Sequence, residues 1–485
     1  MKKSIKLNAF LNTVRNVMSL VFPLITFPYV SRVLNVNGIG KYNFSSSIVS
    51  YFFLIATLGI EQYAVREGSK IRDSNKKINI FANQILTINV FSATFAYILL
   101  LICLLIFLNK LYSYLLCILI CSIQIGFSVL SVEWLYTIYE DFLYITLRSI
   151  IFQFLSIILL FTFVKSPGDY LNYAAVSVFS LVGSNILNFV RAKKHFQLHL
   201  DFHFNWWERM RPILIIFAAS VANVIYVNSD LTILGFIKNN YIVGIYTISS
   251  RIYVILKNAV SAMLLVSVPR LALYYGRKEV NNFNLLLSKV LNGLIIIILP
   301  IATGLFILSR QTVLIISGAH FLRSITSLRI LCFALVFSIL EVILSTCVLI
   351  PLKKEKYVLI STSLSALVNV LLNLLLIPKF NENAAAFSTV IAELLLFLMN
   401  YYFCRNIVKK IFFSKEFLTN FLESILGCMV ICIVCKLLLQ TVPSLLFGTI
   451  VIVILGVISY TITLLLFRNK YAISIFKILL QKLGY

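Results

Sequence analysis

Long apolar runs, broken by short polar stretches, fill this chain from one end to the other. A helix rises 1.5 Å per residue, so roughly 20 apolar residues cross a hydrocarbon core about 30 Å thick. Reading the runs between polar breaks predicts fourteen such helices. Their expected spans are 10–34, 42–65, 80–108, 113–136, 142–164, 170–190, 212–235, 242–273, 285–309, 325–350, 357–377, 385–404, 421–439 and 444–467. The fold class is therefore an all-α polytopic membrane protein. The eighth helix is long enough to tilt or to extend past the bilayer.

The polar breaks carry an alternating bias of charge. With the N-terminus in the cytoplasm, the inside breaks hold 26 Lys and Arg and the outside breaks hold 7. The positive-inside rule then places both termini in the cytoplasm. One missed helix would scramble the alternation downstream, so the bias also supports the count. The basic start, MKKSIKLNAF, precedes an apolar segment longer than a signal peptide's and without an A-x-A-like cleavage site. It is expected to be an uncleaved first helix.

Composition adds the absence of any sizeable soluble domain. Of 485 residues, 60% are hydrophobic and 12% charged, about half the ~25% charge of soluble domains. The formal charge of +25 would point to nucleic acid in a soluble protein. Here topology accounts for it, and no nucleic-acid partner is expected. All nine cysteines fall in apolar segments, where thiols behave as small hydrophobes. His195, His199 and His203 share a helical spacing, but Phe196, Leu198, Leu200, Phe202 and Phe204 alternate with the polar residues. Period 2 thus competes with period 3.6, and an interfacial linker anchored by Trp206 and Trp207 is expected rather than a metal site. No metal and no cofactor are called for.

"GKYNFSS" at 40–46 returns as "GIYTISS" at 244–250, a shift of 204 residues. Both stretches begin a helix at the outside face. The expected organisation is an N-terminal six-helix bundle (1–191), a cytoplasmic linker (192–211) and a C-terminal six-helix bundle (212–407). Helices 13 and 14 (408–467) and an amphipathic cytoplasmic tail (468–485) complete it. The two bundles are read as parallel repeats related by a pseudo-two-fold along the membrane normal, which encloses a central cavity.

Ionisable groups deep in a membrane cost at least ~2.5–3.5 kcal/mol each and mark candidate sites. Arg251 lies nine residues into the eighth helix, roughly 14 Å deep. Lys257 is roughly 22 Å deep on another side. Asp230, on the adjacent seventh helix, is placed to pair with Arg251, and a purely structural ion pair is the alternative. Arg15 and Arg32 lie on the first helix, where snorkelling to the headgroups is the alternative. Glu341 and Glu393 are deep acids, suited either to coupling H+ or Na+ or to packing against a Ser or Asn. Arg148, Lys289, Arg329 and Lys436 lie near helix ends and are expected to snorkel. Glu61 and Glu133 are expected to pair with nearby basic residues. The cations favour an anionic ligand, since guanidinium grips phosphate in a bidentate fork.

The stretch "FPLITFPYVSRVLNVNGIGKYNFSSSIVSYFFLIATLGIEQYAVREGSKIRD" (22–73) resembles the polysaccharide repeat-unit (Wzx-type oligosaccharide) flippases. These belong to the multidrug/oligosaccharidyl-lipid/polysaccharide exporter superfamily. "YVNSDLTILGF" (226–236), "VGIYTISSRIYVIL" (243–256) and "SVPRLALYYG" (267–276) extend the resemblance across helices 1–12. It implies a transporter of the bacterial cell membrane, not an enzyme. It would move an undecaprenyl-pyrophosphate-linked oligosaccharide, of O-antigen or capsule type, to the outer leaflet by alternating access. It also implies that the family's basic cavity residues map onto Arg15, Arg251 and Lys257, although Lys often stands where this chain has Arg251. Partners would be the lipid-linked oligosaccharide, membrane lipids, and a glycan polymerase and glycosyltransferases of the same pathway. Rival readings are a lipid II or teichoic-type flippase, a cation-coupled multidrug antiporter, a membrane glycan polymerase, or an assembly scaffold. The deep cations argue against the antiporter. No outside loop exceeds roughly fifteen residues, against a polymerase's large catalytic loop, and no nucleotide-binding loop is present.

Overall fold

Asparagine bends two very long helices and so creates two of the crossings. The computed structural model describes residues 5–441 and 444–474. Its chain divides into two units, Met1–Gly244 and Ile245–Tyr485.

In the first unit, α1 (Ile5–Thr57) bends at Asn35, which has φ 57° and ψ −177°. That pair of angles lies outside the left-handed helical region and is strained for any residue but glycine. Pro23 and Pro28 precede the bend, and each removes a backbone donor from the helical ladder. The sequence places the break between its first two helices at this point. Leu58 and Gly59, both at positive φ, lead into α2 (Ile60–Gly68). Next come α3 (Asn75–Ile106), α4 (Leu108–Leu111), α5 (Leu115–Ser128), α6 (Glu133–Ile138) and α7 (Phe142–Phe163). Between α7 and α8 (Tyr170–Val182) the turn is tied by Asp169, whose Oδ2 accepts from the Lys165 and Ser166 N–H groups at 2.9 and 2.7 Å. Those donors, the Lys165 N–H first, hold its carboxyl below the usual range. After α9 (Asn185–His195) and α10 (Trp206–Ile237), α11 (Asn240–Ala262) carries the chain across the unit boundary. Within the first unit, α10 packs against α1 and α2.

The second unit continues with α12 (Val268–Gly276), α13 (Val280–Ile307), α14 (Ser309–Ser317) and α15 (Ser324–Val342). A π-helical stretch, Ile343–Leu349, extends α15. Then α16 (Glu355–Phe412) bends at Asn381 (φ 53°), and α17 (Lys415–Thr441) and α18 (Leu445–Leu466) follow. Eleven helical segments of the described chain are long and apolar enough to cross a membrane. Two of them contain the bends of α1 and α16, and α11 adds one more long helix, so the fourteen expected long helices are present. The protein is a multi-pass, all-helical membrane protein.

Four expected helices are interrupted. The one read over 42–65 breaks at Leu58 and Gly59, both at positive φ. The one read over 113–136 breaks at Val132, which has φ 34°. The one over 170–190 breaks at Gly183 and Ser184 and then runs on to His195. The one over 242–273 ends at Ala262, passes through a 3₁₀ turn at Met263–Val266, and restarts with Pro269 in its first turn. Proline fits a first turn because its missing N–H would be unsatisfied there anyway. The linker is shorter than expected: residues 196–205 run between α9 and α10, and Phe196, Leu198 and Phe204 pack on the first unit's core. His199 is held by Asn83, whose Oδ1 accepts the His199 N–H at 3.1 Å. Residues 475–485 of the expected tail lie outside the described residues.

Lipid is as apolar as Leu, so helices in it associate through close packing and hydrogen bonds. Both devices are visible. In the first unit, a Cβ built at Gly40 would stand 1.8 Å from the Asn240 carbonyl oxygen. One built at Gly244 would stand 2.1 Å from that of Val36. Each pair is the image of the other under the 204-residue shift. The repeated glycine is thus where the start of α11 meets the second segment of α1, backbone against backbone. In the second unit, Asn420 donates to Asn292 Oδ1 at 2.9 Å and Asn469 donates to Asn420 Oδ1 at 2.8 Å. Tyr460 donates to the Ile296 carbonyl at 2.9 Å. These bonds fasten α17 and α18 onto α13. Eight of the nine cysteines are at least partly buried and Cys432 is exposed. Cys428 and Cys435 pack within the core between these helices.

Candidate functional site

Each unit buries its own group of charged side chains. In the first, Glu133 opens α6 just after the break at Val132. Its Oε1 lies 2.7 Å from Arg15 Nη2 on α1, and its Oε2 lies 2.7 Å from Arg148 Nη2 on α7. One carboxylate therefore joins three elements. Glu61, on α2, is close enough to interact electrostatically with both Arg15 and Glu133. The expected pairing of Glu133 with basic neighbours is present. The expected snorkelling of Arg148 is not: its side chain is 4% exposed. The break at Val132 turns α6 so that Glu133 meets Arg148 inside the unit, a bend with no mark in the apolar pattern.

In the second unit, Glu393 lies on the second segment of α16 and is fully buried. Its Oε1 accepts from Lys257 Nζ and from the Tyr253 hydroxyl, each at 2.6 Å. Tyr253 and Lys257 are one turn apart on α11, so both reach the same oxygen. Oε2 is buried and meets no donor among the described residues. Glu341, on α15, accepts from Asn400 Nδ2 at 3.1 Å, and Ser361 Oγ donates to Asn400 Oδ1 at 2.5 Å. Glu341 also feels the charges of Lys257 and Glu393. It sits two residues before the π-helical stretch, a feature frequent at functional sites. Three of the expected site residues, Lys257, Glu341 and Glu393, thus converge in one network. Lys257 enters it as the partner of an acid. The Asn partner expected for a packing acid belongs to Glu341.

A further pair escaped the sequence reading. Glu382, the first residue after the Asn381 bend, accepts from Arg323 Nε at 2.5 Å and Nη2 at 3.1 Å. The signal was available in principle: an acid opening a helical segment, where the helix dipole favours it. Reading 378–384 as a plain loop hid it.

The other expected site residues are placed as follows. Arg32 is exposed near the end of the first segment of α1, Asp230 is buried on α10, and Arg251 is exposed on α11. Among the described residues no group of three His, Cys, Asp or Glu is arranged to hold a metal. What these groups can do chemically is bind an anion through guanidinium and exchange partners or a proton within the carboxylate networks.

The family described as "Polysaccharide biosynthesis protein" matches residues 5–274. No curated protein matches the chain. Among solved structures, the fold is similar to a lipid II flippase MurJ in its inward closed conformation, with a TM-score of 0.72 at 16% identity. That similarity covers 96% of this chain and 99% of the other. A multidrug resistance MATE family transporter of the MOP superfamily, inward-facing, has a TM-score of 0.57 at 13% identity and covers 82% and 99%. A MATE protein in complex with MaD3S has a TM-score of 0.55 at 14% identity and covers 84% and 95%.

Proposed function

Since the chain belongs to the polysaccharide biosynthesis protein family, we propose that it is a flippase for a lipid-linked saccharide. Its cargo on this reading is an undecaprenyl-pyrophosphate-linked oligosaccharide repeat unit of O-antigen or capsule type. It moves from the inner to the outer leaflet of the bacterial cell membrane by alternating access, and both termini of the chain are cytoplasmic. The family match over residues 5–274 carries the reading. The fold shared with a lipid II flippase over nearly the whole chain supports it and favours lipid II as the second candidate cargo. The fold shared with the multidrug transporters is less extensive.

On this reading the exposed Arg251 and Arg32 meet the pyrophosphate. Arg15 and Lys257, ion-paired to Glu133 and Glu393, reach a phosphate only by exchanging carboxylate for phosphate. Such an exchange links cargo binding to the state of the acid left behind. Glu393, with Glu341 and Asp230, is then the group through which H+ or Na+ couples. An inside-negative potential assists outward movement of the diphosphate by about 2.3 kcal/mol per charge per 100 mV. Pathway partners are the glycan polymerase and glycosyltransferases.

Proteoliposomes holding the purified chain test the reading. The measurement is the appearance of a labelled polyprenyl-pyrophosphate oligosaccharide in the opposite leaflet. Wild-type protein should accelerate it and Arg251→Ala, present at equal level, should not. No acceleration by wild-type protein sinks the function; undiminished flipping by the variant sinks the role of Arg251.

A further inference from the structure

The second unit holds a pocket of about 430 Å³ on α13, walled by α15 and α17 and lined by Leu299, Phe306, Phe333, Phe337, Phe421 and Cys432. It shares no side chain with the charged networks described above. We propose that it seats one acyl chain of an anionic diacyl phospholipid whose phosphate lies on Arg329.

Three observations carry this assignment. First, the pocket is apolar and can be reached from the bilayer. Phe306 and Phe333 are 40% and 57% exposed, and their rings meet edge to face with centroids 6.0 Å apart. A space with such walls takes hydrocarbon. Second, Arg329 stands at one end of the pocket, one turn before Phe333, and it is anchored. Its Nε donates to Oγ of the fully buried Ser309 at 2.9 Å, and its guanidinium lies 5.6 Å from the Phe306 ring. An arginine that merely snorkels to the headgroups needs no such anchors. The side chain is exposed, and its two terminal nitrogens meet no acceptor among the described residues. They form an open fork, the geometry that grips two phosphate oxygens. Third, that end of the pocket carries cations without acids. Asn420 meets Asn292 and Cys428 meets Thr303, so α17 rises beside α13 in the same direction. Lys436, one turn beyond Cys432, and Arg310, next to Ser309, therefore come to the same end as Arg329, and both are exposed. No Asp or Glu occurs in 280–340 or in 424–466. Glu382, at the bend of α16, is bound to Arg323, and Glu423, toward the opposite end of α17, accepts from Asn469. A phosphodiester monoanion reduces the surplus. Basic pockets between membrane helices hold anionic headgroups in this way. With both termini in the cytoplasm, the lipid would belong to the outer leaflet.

Native mass spectrometry of the full chain, delipidated in detergent and titrated with phosphatidylglycerol, tests the site without reference to the cargo. Wild-type protein should retain one phosphatidylglycerol with a half-saturation about fivefold lower than for phosphatidylcholine. Arg329→Gln should lose that preference. Cys432→Trp, which fills the pocket from the lipid side and leaves the cations in place, should lose retention altogether. Lys289→Gln, toward the other end of α13, should change neither. The site is overturned if wild-type protein shows no preference, or if either Arg329→Gln or Cys432→Trp binds as wild type does. It is overturned as well if Lys289→Gln weakens binding as much as Arg329→Gln, since the attraction would then be general to the basic surface. Displacement by millimolar inorganic phosphate would make it a free-anion site instead. One-for-one displacement by a polyprenyl pyrophosphate at equal concentration would give the pocket to the cargo, and so also overturns it.

Discussion

Lys257 Nζ and the Tyr253 hydroxyl share a single oxygen of Glu393, each at 2.6 Å, while the other oxygen of that carboxylate has no donor among the described residues. A buried acid held on one side only depends heavily on its cation. Breaking a buried ion pair by removing one partner costs about 3–5 kcal/mol. The 22% exposure of the Lys257 side chain puts this pair at or below the lower end. Lys257→Met should therefore lower the melting temperature in detergent, and Lys257→Met with Glu393→Gln should recover most of the loss. Additive losses in the double variant would show that the pair is not coupled.

Glu133 makes a different prediction, because one carboxylate serves two arginines. Glu133→Gln leaves both cations without their acid, and one of them, Arg148, is almost wholly buried. It should destabilise the protein more than Arg15→Gln does, again read as a melting temperature. Equal losses would mean that the Arg148 bond contributes little.

The bends at Asn35 and Asn381 can be tested through the backbone. With φ 57° and ψ −177°, Asn35 occupies a region that is essentially glycine's own, at a cost of about 1–3 kcal/mol for other residues. Asn35→Gly should be neutral or stabilising and Asn35→Val clearly destabilising. The same order should hold at Asn381, where φ is 53°. A Val variant as stable as wild type at either position would contradict the strained bend.

The crossing at Gly40 predicts a steric effect with a built-in control. Overpacking costs about 1–3 kcal/mol in well-packed interiors, and here the obstacle is backbone. Gly40→Ala should lower the melting temperature markedly. Gly293→Ala, with nothing within 4 Å of its Cβ, should not. If the two variants melt together, the close approach is not a constraint.

The long helices could be read in the sequence because their cause, the length of apolar runs against the thickness of a bilayer, is local. The charge bias of the loops is local too. The breaks within helices were less visible. Val132 breaks its helix with no chemical mark of its own, whereas Gly59, Gly183 and Pro269 are residues that punctuate helices but sit within apolar runs long enough to read as unbroken. The charged residues were found one by one, since an ionisable group in an apolar run stands out. Their partners were not, because Glu393 meets Lys257 across 136 positions of chain. Arg148 shows the limit most clearly. Its depth along one helix suggested escape to the headgroups, whereas the bend at Val132 sets an acid beside it.

The two glycine contacts have one more consequence. Val36 receives Gly244 as Asn240 receives Gly40, so each motif segment gives the same group that it accepts. Such an interface is isologous, the kind that closes between identical copies about a two-fold axis. A chain carrying only one copy of the motif could make this crossing with its twin. In a fused chain each side of the contact is free to change its sequence, provided that the two glycines stay.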